Sequence, residues 1–297
     1  MSLLVAGSIA FDTIETPFGK RARILGGAAV HFSFSASYLT SVIAIGIIGR
    51  DFPKANIDLL TKRGIDTSGI VHAKDDTFNW SGRYVGDMNE AETVEVNLNS
   101  FGTFKPKLSP THAATPYIFL GNSHPLTQLS VVEQATSPKL IVADTMNLWI
   151  TSARKDLEKL LSRIDGVVMN DGEARMLTGE HSLVRAARAL LKHGLKLVII
   201  KKGEHGALAM TPDYTIVVPA YPTEAVVDPT GAGDSFAGGV MGYLALAGEL
   251  NPGTLRKALR YGTVTASFQV EDFGLERHLS LGRADIEQRL IHFEAMT

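Results

Sequence analysis

Short apolar runs that end in glycine or turn residues recur along the chain, separated by stretches with helical periodicity. The runs suit strands buried on both faces of a mostly parallel sheet, and they are LLVAG (3–7), VIAIGIIG (42–49), YIFLG (117–121), LIVAD (140–144), GVVMN (166–170) and LVIIKKG (197–203). Helical stretches lie at 155–164 and 183–194, and Gly194 is expected to close the second as a C-cap. This alternation predicts a three-layer, doubly wound α/β fold that binds ligands at the carboxyl ends of its strands.

One segment breaks this pattern and alternates as an antiparallel hairpin. TFNWSGRYV (77–85) places Phe78, Trp80 and Tyr84 on one face, and after the turn GDMNEAE, TVEVNL (93–98) places Val94, Val96 and Leu98 on one face. Two interpretations stay open: an edge hairpin packed on the main core, or a β lid over a substrate cleft that could also be a dimer contact. Without repeats or linkers, we expect a single domain, 1–297, with the hairpin inserted at about 77–98.

Composition is ordinary for a globular enzyme of 297 residues, 45% hydrophobic and 20% charged. The net charge of −2 gives no electrostatic reason to expect nucleic acid or an anionic membrane as a partner. The absence of cysteine excludes disulfides, thiolate metal sites and cysteine nucleophiles. No apolar run approaches the ~20 residues of a membrane span, and MSLLVAGSIAF lacks the features of a signal peptide. We therefore expect a cytoplasmic protein.

The densest cluster of small residues is VVDPTGAGDSFAGGV (226–240). A turn after the strand-like AYPTEAVVD leads into a helix that should begin near Ala232–Gly233, so that the N–H groups of Gly231, Ala232 and Gly233 form an anion site. The glycines could instead serve only tight packing. A dinucleotide-binding turn fits poorly, because Phe236 stands where the third glycine is needed and the motif comes late in the chain.

Asp234 is an anion in the middle of this anion site. A phosphoryl group in transit needs backbone donors, whereas the attacking alcohol needs a proton acceptor. A carboxylate in the first turn of the same helix should stay ionised beside the helix dipole. Because phosphoryl transfer has a loose transition state, a weak base suffices. We therefore predict Asp234 to be the base.

DPTGAGDSFAGG resembles the C-terminal signature of the ribokinase-like family, also called the phosphofructokinase-B family of sugar kinases. The resemblance implies a ribokinase-like fold and ATP-dependent phosphorylation of a hydroxyl group with Mg²⁺. It implies Asp234 as catalytic base and Gly231 to Gly233 as the anion hole.

The N-terminal half carries the matching features of this family in LGGAAVHFSFSASYL (25–39) and in the G-x-D turn of Gly49 and Asp51. By resemblance, Gly26 and Gly27 lie against substrate hydroxyls, and Asp12, at the end of the first strand, accepts two of them.

The chain departs from ribokinases at two substrate-facing asparagines, where it has His31 and Ala10. His31 is either a core histidine or a substrate contact.

The middle of the chain agrees with the family more loosely. In MNDGEARMLTG (169–179), Glu173 would hold the water shell of Mg²⁺ and Asn170 would lie near the phosphates, although Asn170 could simply cap a helix. In VIIKKGEHGALAM (198–210), Lys201 or Gly203 would contact phosphate or ribose and Gly206 would permit a tight turn. A plain hairpin turn is the alternative.

Three more residues are assigned by resemblance. Thr230, beside the glycine turn, would contact ATP, and Thr263 would lie in the adenine pocket. Asp228 matches an aspartate that binds a monovalent cation such as K⁺ in some relatives, which leaves a cation here open.

These features together predict a kinase acting on a sugar or similar small alcohol, with the lid shielding the site from water. A nucleoside kinase is the first alternative, in which the aromatic side chains could stack on a base or simply fill the core: Phe11, Phe32, Phe34 and Trp80. A non-catalytic metabolite-binding regulator is the second. A homodimer through the lid is left open.

Overall fold

A computed structural model describes residues 1–89 and 91–297, and its strands form two sheets. The strands are β1 (Leu3–Ala6), β2 (Ala10–Thr16), β3 (Gly19–Gly26), β4 (Val42–Ile48), β5 (Ile65–His72), β6 (Phe78–Tyr84), β7 (Ala91–Asn97), β8 (Tyr117–Leu120), β9 (Leu140–Asp144), β10 (Gly166–Asn170), β11 (Leu197–Lys201), β12 (Ala207–Met210) and β13 (Thr215–Val218).

The larger sheet has the order β13-β12-β11-β10-β9-β8-β1-β4-β5. Neighbouring strands are parallel from β11 to β5, whereas β12 and β13 join antiparallel at one edge. All six apolar runs of the sequence lie in this sheet, which confirms the predicted mostly parallel α/β fold.

The helices are α1 (Ala28–Ala36), α2 (Lys54–Lys62), α3 (Pro110–Ala113), α4 (Pro125–Gln134), α5 (Asn147–Ser152), α6 (Arg154–Leu161), α7 (Asp171–Thr178), α8 (Leu183–Leu191), α9 (Ala232–Ala247), α10 (Pro252–Gln269), α11 (Glu276–Leu279) and α12 (Arg283–Met296), with short 3₁₀ helices at Asn99–Thr103 and Gly203–His205. The second predicted helix ends at Leu191, before the expected cap. Gly194, with φ +92°, follows in the turn and donates its N–H group to the Leu191 carbonyl.

Helices cover both faces of the large sheet, as the alternation of side chains along β1 shows. Leu3 and Val5 join the core formed with α1, α9 and α10, whereas Leu4 and Ala6 join the core formed with α4, α6 and α8. Because both faces are covered, the strands consist of continuous apolar runs. No helix among residues 1–89 and 91–297 is both long and apolar enough to cross a membrane.

The second sheet has the order β3-β2-β6-β7 and is larger than the predicted hairpin. Strand β2 pairs in parallel with β6, and the other two pairs are antiparallel. Asp12 therefore lies inside β2 of this small sheet, not at the end of the first strand as the sequence suggested. Glu90, in the predicted turn of the hairpin, lies outside the described residues.

Strand β7 does not pack on the main core. Val94, Val96 and Leu98 are 62%, 47% and 45% exposed. The ladder pairs Glu95 with Ser81 and Thr93 with Gly82, so a register shift leaves Val94 between the two pairs and breaks the predicted single face. The roles of this hairpin as a lid and as a dimer contact stay predictions.

The G-x-D turn after β4 holds the two sheets together. Asp51 Oδ1 accepts hydrogen bonds of 2.7 Å from both the N–H group and the hydroxyl of Thr77, directly before β6. Gly49 donates its N–H group to the same hydroxyl at 2.9 Å. These bonds fix the position of the small sheet against the carboxyl edge of the large one.

The segment AYPTEAVVD is irregular, and the predicted strand is absent there. The N–H groups of Val227 and Asp228 both donate to the Val270 carbonyl, so a loop after α10 takes the place of a partner strand. The chain then turns through Gly231, with φ +75°, and α9 begins at Ala232, as predicted. A Cβ at Gly231 would overlap the ring of His31 on α1.

The contact between Gly231 and His31 generates a prediction about stability. Gly179, the C-cap of α7, has nearly the same φ of +73° but open space around its Cβ position. Gly179→Ala should therefore lose about 1 kcal/mol through backbone strain alone. Gly231→Ala should lose roughly 1–3 kcal/mol more, because the methyl group must displace the buried imidazole.

Urea unfolding of both variants measures this difference. Equal losses of stability would show that the His31 ring does not constrain the turn.

Candidate active site

The predicted acceptor residues lie together where β2, β3 and α1 meet. Asp12 is 5% exposed and His31 1% exposed. Gly26 ends β3 so close to Asp12 that a Cβ there would overlap the carboxylate. Gly27 is the N-cap of α1 with φ +95°, and a side chain there would meet the Ser8 carbonyl. The glycine pair therefore keeps the backbone next to a buried carboxylate.

His31 faces this carboxylate on one side and an amide on the other. Its Nδ1 lies 3.3 Å from Gln269 Oε1, whereas its Nε2 is 3.9 Å from Asp12 Oδ2 and has no hydrogen-bond partner among the described residues. Burial lowers the pKa of His31, but the nearby negative charges of Asp12, Asp234 and Asp228 outweigh burial and raise the pKa above 6.5.

Asp234 lies in the first turn of α9, with part of its surface open to the cleft. Burial and the charge of Asp144 raise the pKa of Asp234 to about 6, while His31 and Lys201 act in the opposite direction. Desolvation therefore outweighs the helix dipole that was expected to keep this group ionised. At neutral pH the carboxylate is still mostly charged, which a general base requires.

The backbone donors around Asp234 differ from the predicted set by one residue. Ala232 donates its N–H group to the Pro229 carbonyl at 3.1 Å, inside the turn. The N–H groups of Gly231, Gly233 and Asp234 have no acceptor among the described residues. The Thr230 carbonyl, which Asp234 would otherwise bond in the helix, accepts instead from Gln269 Nε2 at 3.0 Å. The N–H groups that could bind an anion at this turn are therefore those of residues 231, 233 and 234.

Lys201, the last residue of β11, brings a positive charge to this anion site. Its Nζ lies 3.8 Å from Asp144 Oδ2 and only 2.8 Å from where a Cβ at Gly233 would be. Burial alone would lower the pKa of Lys201, but the charges of Asp144, Glu173 and Asp234 raise it. Lys201 is therefore charged and lies directly against the start of α9.

Glu173 and Asn170 form a capping box at the N-terminus of α7. The Glu173 N–H group donates to Asn170 Oδ1, and the Asn170 N–H group donates to Glu173 Oε2, both at 2.7 Å. Asn170 therefore caps α7, which is the alternative role considered for it. Burial and the neighbouring Asp144 charge raise the pKa of Glu173 to about 7. Its second carboxylate oxygen remains available to a water of a bound cation.

Asp228 is fully buried and holds two loops together. Its two oxygens accept from the N–H groups of Thr230 and Gly274, both at 2.9 Å. Nothing further supports the monovalent cation considered there. Within residues 1–89 and 91–297, no group of three or more His, Asp or Glu side chains is arranged to hold a metal ion directly.

The remaining predicted ATP contacts lie on surrounding loops. Thr230 donates its hydroxyl to Tyr84 of β6 at 3.2 Å, which connects the glycine turn to the small sheet. A Cβ at Gly203 would lie 3.1 Å from Asn89 Oδ1, so the hairpin also reaches the turn after β11. Gly206, with φ +81°, shapes the turn into β12. Thr263 is buried on α10.

Sequence reasoning missed Gln269 and Tyr84. Gln269 contacts His31 across 238 positions of the chain, and Tyr84 contacts Thr230 across 146. Gln269 stands in no motif, and Tyr84 is marked only by the alternation of its strand, so no local signal indicates either contact. Of the aromatic side chains considered for base stacking, only Trp80 is partly exposed; the buried ones are Phe11, Phe32 and Phe34.

The site also fits the phosphates of ATP. The free N–H groups lie at the start of a sixteen-residue helix, and the charged Lys201 adjoins the same turn. Both are recurring features of phosphate sites.

The chain is similar in sequence to known carbohydrate and nucleoside kinases. Residues 19–280 match the model of the pfkB family carbohydrate kinases. The chain is 30% identical over 284 residues to a cytidine kinase of Thermococcus kodakarensis, covering 92% of this chain and 98% of that protein.

Solved structures share the fold at lower identity. A ribokinase II from E. coli in complex with ATP and Mg²⁺ aligns with a TM-score of 0.78 and 22% identity, over 98% of this chain and 99% of that one. A nucleoside kinase of Burkholderia thailandensis in complex with inosine aligns with a TM-score of 0.79 and 19% identity, over 99% of both chains.

The family match covers most of the chain. The protein therefore belongs to the pfkB family of carbohydrate kinases, whose members are phosphotransferases with an alcohol group as acceptor.

Proposed function

We propose that this kinase transfers the γ-phosphoryl group of ATP to a hydroxyl of a sugar or sugar-like molecule, with Asp234 as the base. The observation that carries this proposal is the position of Asp234. It is a carboxylate with a pKa of about 6, flanked by the free N–H groups of Gly231 and Gly233 and by Lys201. A proton acceptor and phosphate donors are thus next to each other.

The acceptor alcohol would bind on the side of the small sheet. Asp12 would accept hydrogen bonds from its hydroxyls, and Gly26 and Gly27 would let the sugar approach the backbone. His31 would contact it through Nε2, which has no other partner among the described residues. A buried polar nitrogen of this kind favours a ligand hydroxyl over an empty space.

ATP would lie along the opposite side of α9. Lys201 would neutralise phosphate charge, Thr230 and the turn from Gly203 to Gly206 would border the nucleotide, and Thr263 would face its base. Mg²⁺, when bound, would neutralise phosphate charge, with Glu173 holding one of its waters and Asn170 orienting that carboxylate through their capping box.

In the proposed transfer, each bond that forms is matched by a bond that breaks. The O–H bond of the acceptor breaks and its proton passes to Asp234. The acceptor oxygen forms the new bond to the γ-phosphorus, and the bond from that phosphorus to the β–γ bridging oxygen breaks, which releases ADP. The N–H groups at 231 and 233 stabilise the negative charge on the transferred group.

The small sheet would limit access of water to this centre. Its contacts from Tyr84 to Thr230 and from Asn89 to Gly203 bring the hairpin over both the glycine turn and the loop after β11. A kinase must exclude water because water would otherwise accept the phosphoryl group.

A nucleoside is the second candidate for the acceptor. The cytidine kinase relative aligns over nearly its whole length, and this chain has His31 where ribokinases have asparagine. A non-catalytic regulator is less well supported, because the base, the N–H donors and the charged lysine are all present.

The first prediction tests the reaction and its base together. ADP release with ATP and Mg²⁺ should occur with at least one member of a panel of pentoses, hexoses, sugar phosphates, inositols and nucleosides. Asp234→Asn should lower kcat for that acceptor by about 10²–10⁴-fold, since an amide cannot accept the proton. ATP affinity, measured by calorimetry, should change little.

Asp213→Asn, at an exposed surface position, is the matched control and should keep wild-type turnover. Normal turnover of Asp234→Asn would exclude Asp234 as the base.

The second prediction concerns pH. The base acts only when deprotonated, so kcat/KM, which reports groups of the free enzyme, should rise with pH through about 6, the pKa of Asp234. Asp144→Asn should move this midpoint to lower pH, because the Asp144 charge raises that pKa. A midpoint that Asp144→Asn leaves unchanged would assign the titration to another group.

The third prediction concerns the glycine pair. Gly26→Ala should raise the KM for the acceptor at least about tenfold, because the methyl group displaces the Asp12 carboxylate, while the KM for ATP changes less than about twofold. Gly253→Ala, on the exposed first turn of α10, is the control. Equal effects on both KM values would indicate a general loss of structure.

A further inference from the structure

The side-chain amide of Gln269 has a fixed orientation. Its Nε2 lies 3.0 Å from the Thr230 carbonyl and 2.6 Å from the Gly274 carbonyl, and both of these groups can only accept. The nitrogen must therefore be on that side. Oε1 faces the Ser235 hydroxyl and His31 Nδ1, each at 3.3 Å.

This orientation determines which nitrogen of His31 carries a proton. An amide oxygen is only an acceptor, so Nδ1 must be the N–H that donates to it. The ring cannot turn over without placing a carbon against Oε1. Nε2 is therefore directed to Asp12 and the acceptor pocket, whatever the charge of the ring.

The gap between His31 and Asp12 suits one hydroxyl group. Nε2 and Asp12 Oδ2 are 3.9 Å apart, which is too far for a hydrogen bond between them. An oxygen at about 2.8 Å from both atoms fits this separation. A protonated Nε2 would donate to that oxygen, and the hydroxyl would donate its own proton to Asp12.

Charged groups surround His31 on several elements. Asp12 on β2, Asp228 before α9 and Asp234 on α9 are negative and raise the pKa of His31 above 6.5. His278 on α11 also interacts with it electrostatically, but burial and the charges of His31, Arg63 and Arg277 lower the pKa of His278 to about 3, so it stays neutral. The surroundings of His31 therefore favour the imidazolium form.

We propose that Gln269 is a positioning residue that holds His31 so that its protonated Nε2 and the Asp12 carboxylate bind one acceptor hydroxyl together. This inference rests on the proposed function and deepens it. The hydroxyl is not the one phosphorylated, whose proton goes to Asp234. The substrate class is therefore an alcohol with at least two hydroxyls, one of which both accepts and donates at this pair.

The pH dependence of kcat/KM for the acceptor tests this arrangement. Affinity requires the proton on Nε2, so kcat/KM should fall on the alkaline side as His31 deprotonates, above pH 6.5. His31→Gln places an amide near the position of Nε2 and should abolish this alkaline decrease, because an amide does not titrate. His31→Asn places its amide near Nδ1 and should raise the KM at least about tenfold at every pH.

Two variants of Gln269 should move the alkaline limb in opposite directions. Gln269→Glu keeps an acceptor for Nδ1 and adds a negative charge, so it should move the limb to higher pH. Gln269→Met removes the acceptor and should move it to lower pH, with a larger effect on KM than on kcat. A purely structural role for Gln269 would give shifts of the same sign or none.

A deoxy analogue of the acceptor, lacking the bridging hydroxyl, supplies a further comparison. Removal of that hydroxyl should lower kcat/KM at least about tenfold in the wild type and much less in His31→Asn, where the donor is already gone. An equal loss in both proteins would overturn the shared-hydroxyl arrangement.

The ring nitrogens of His31 can be observed directly in the unliganded protein by long-range ¹⁵N–¹H correlation, with His31→Gln used to assign the signals. At a pH of about 9, well above the ordinary histidine range, the neutral ring should carry its proton on Nδ1. A neutral ring with its proton on Nε2 and none on Nδ1 would overturn the proposal, even if Gln269 variants fail to fold. If no acceptor in the panel turns over, the proposed function fails, and this measurement still decides the role of Gln269.

Discussion

Repulsion among carboxylates crowded at one edge of the main sheet is the constraint on which the site depends. Asp12, Asp144 and Asp228 are buried, and Asp234 lies among them at the start of α9. Like charges out of water raise one another's pKa and oppose folding unless cations or donors compensate them. Here backbone N–H groups stabilise Asp228, while Lys201 and His31 supply the positive charge near the others.

Lys201 and His31 lie on opposite sides of Asp234 and divide the site into halves. Lys201 lies beside Asp144 on the side of β11, and His31 lies beside Asp12 on the side of the small sheet. Burial and the charge of Asp144 raise the pKa of Asp234 to about 6, whereas His31 and Lys201 act to lower it, so the carboxylate is mostly ionised at neutral pH.

The sequence allows prediction of site residues whose positions are set by the backbone of a single short segment. The glycine turn and Asp234 are adjacent in the chain, and Asn170 and Glu173 are three positions apart. Within each of these two groups, the spacing alone indicates the geometry. The extent of the small sheet was not predictable in this way. Strand β3 is GKRARILG, with mostly exposed polar side chains, and it carries no period-2 apolar pattern.

Long-range polar contacts were also beyond sequence reasoning. Gln269 gains its role only because α10 packs along α9 and brings its amide between Thr230, Gly274 and His31. A single buried glutamine on a helix has no sequence signature, since its partners are set by tertiary packing. Tertiary packing also decides the structure of AYPTEAVVD. Its apolar residues predict a strand, but Val226 and Val227 pack against the small sheet instead.

Because Asp12 lies on the small sheet, this sheet would bind the acceptor as well as cover the site. Asp12 belongs to β2 of that sheet, whereas His31 belongs to α1, which packs on the main sheet. An acceptor bound between these two side chains would contact both sheets at once. On the other side, Asp51 and Thr77 join the same two sheets without a ligand. Acceptor binding would therefore add to the contacts between the two sheets, so that the energy of substrate recognition would also hold the small sheet over the reacting groups.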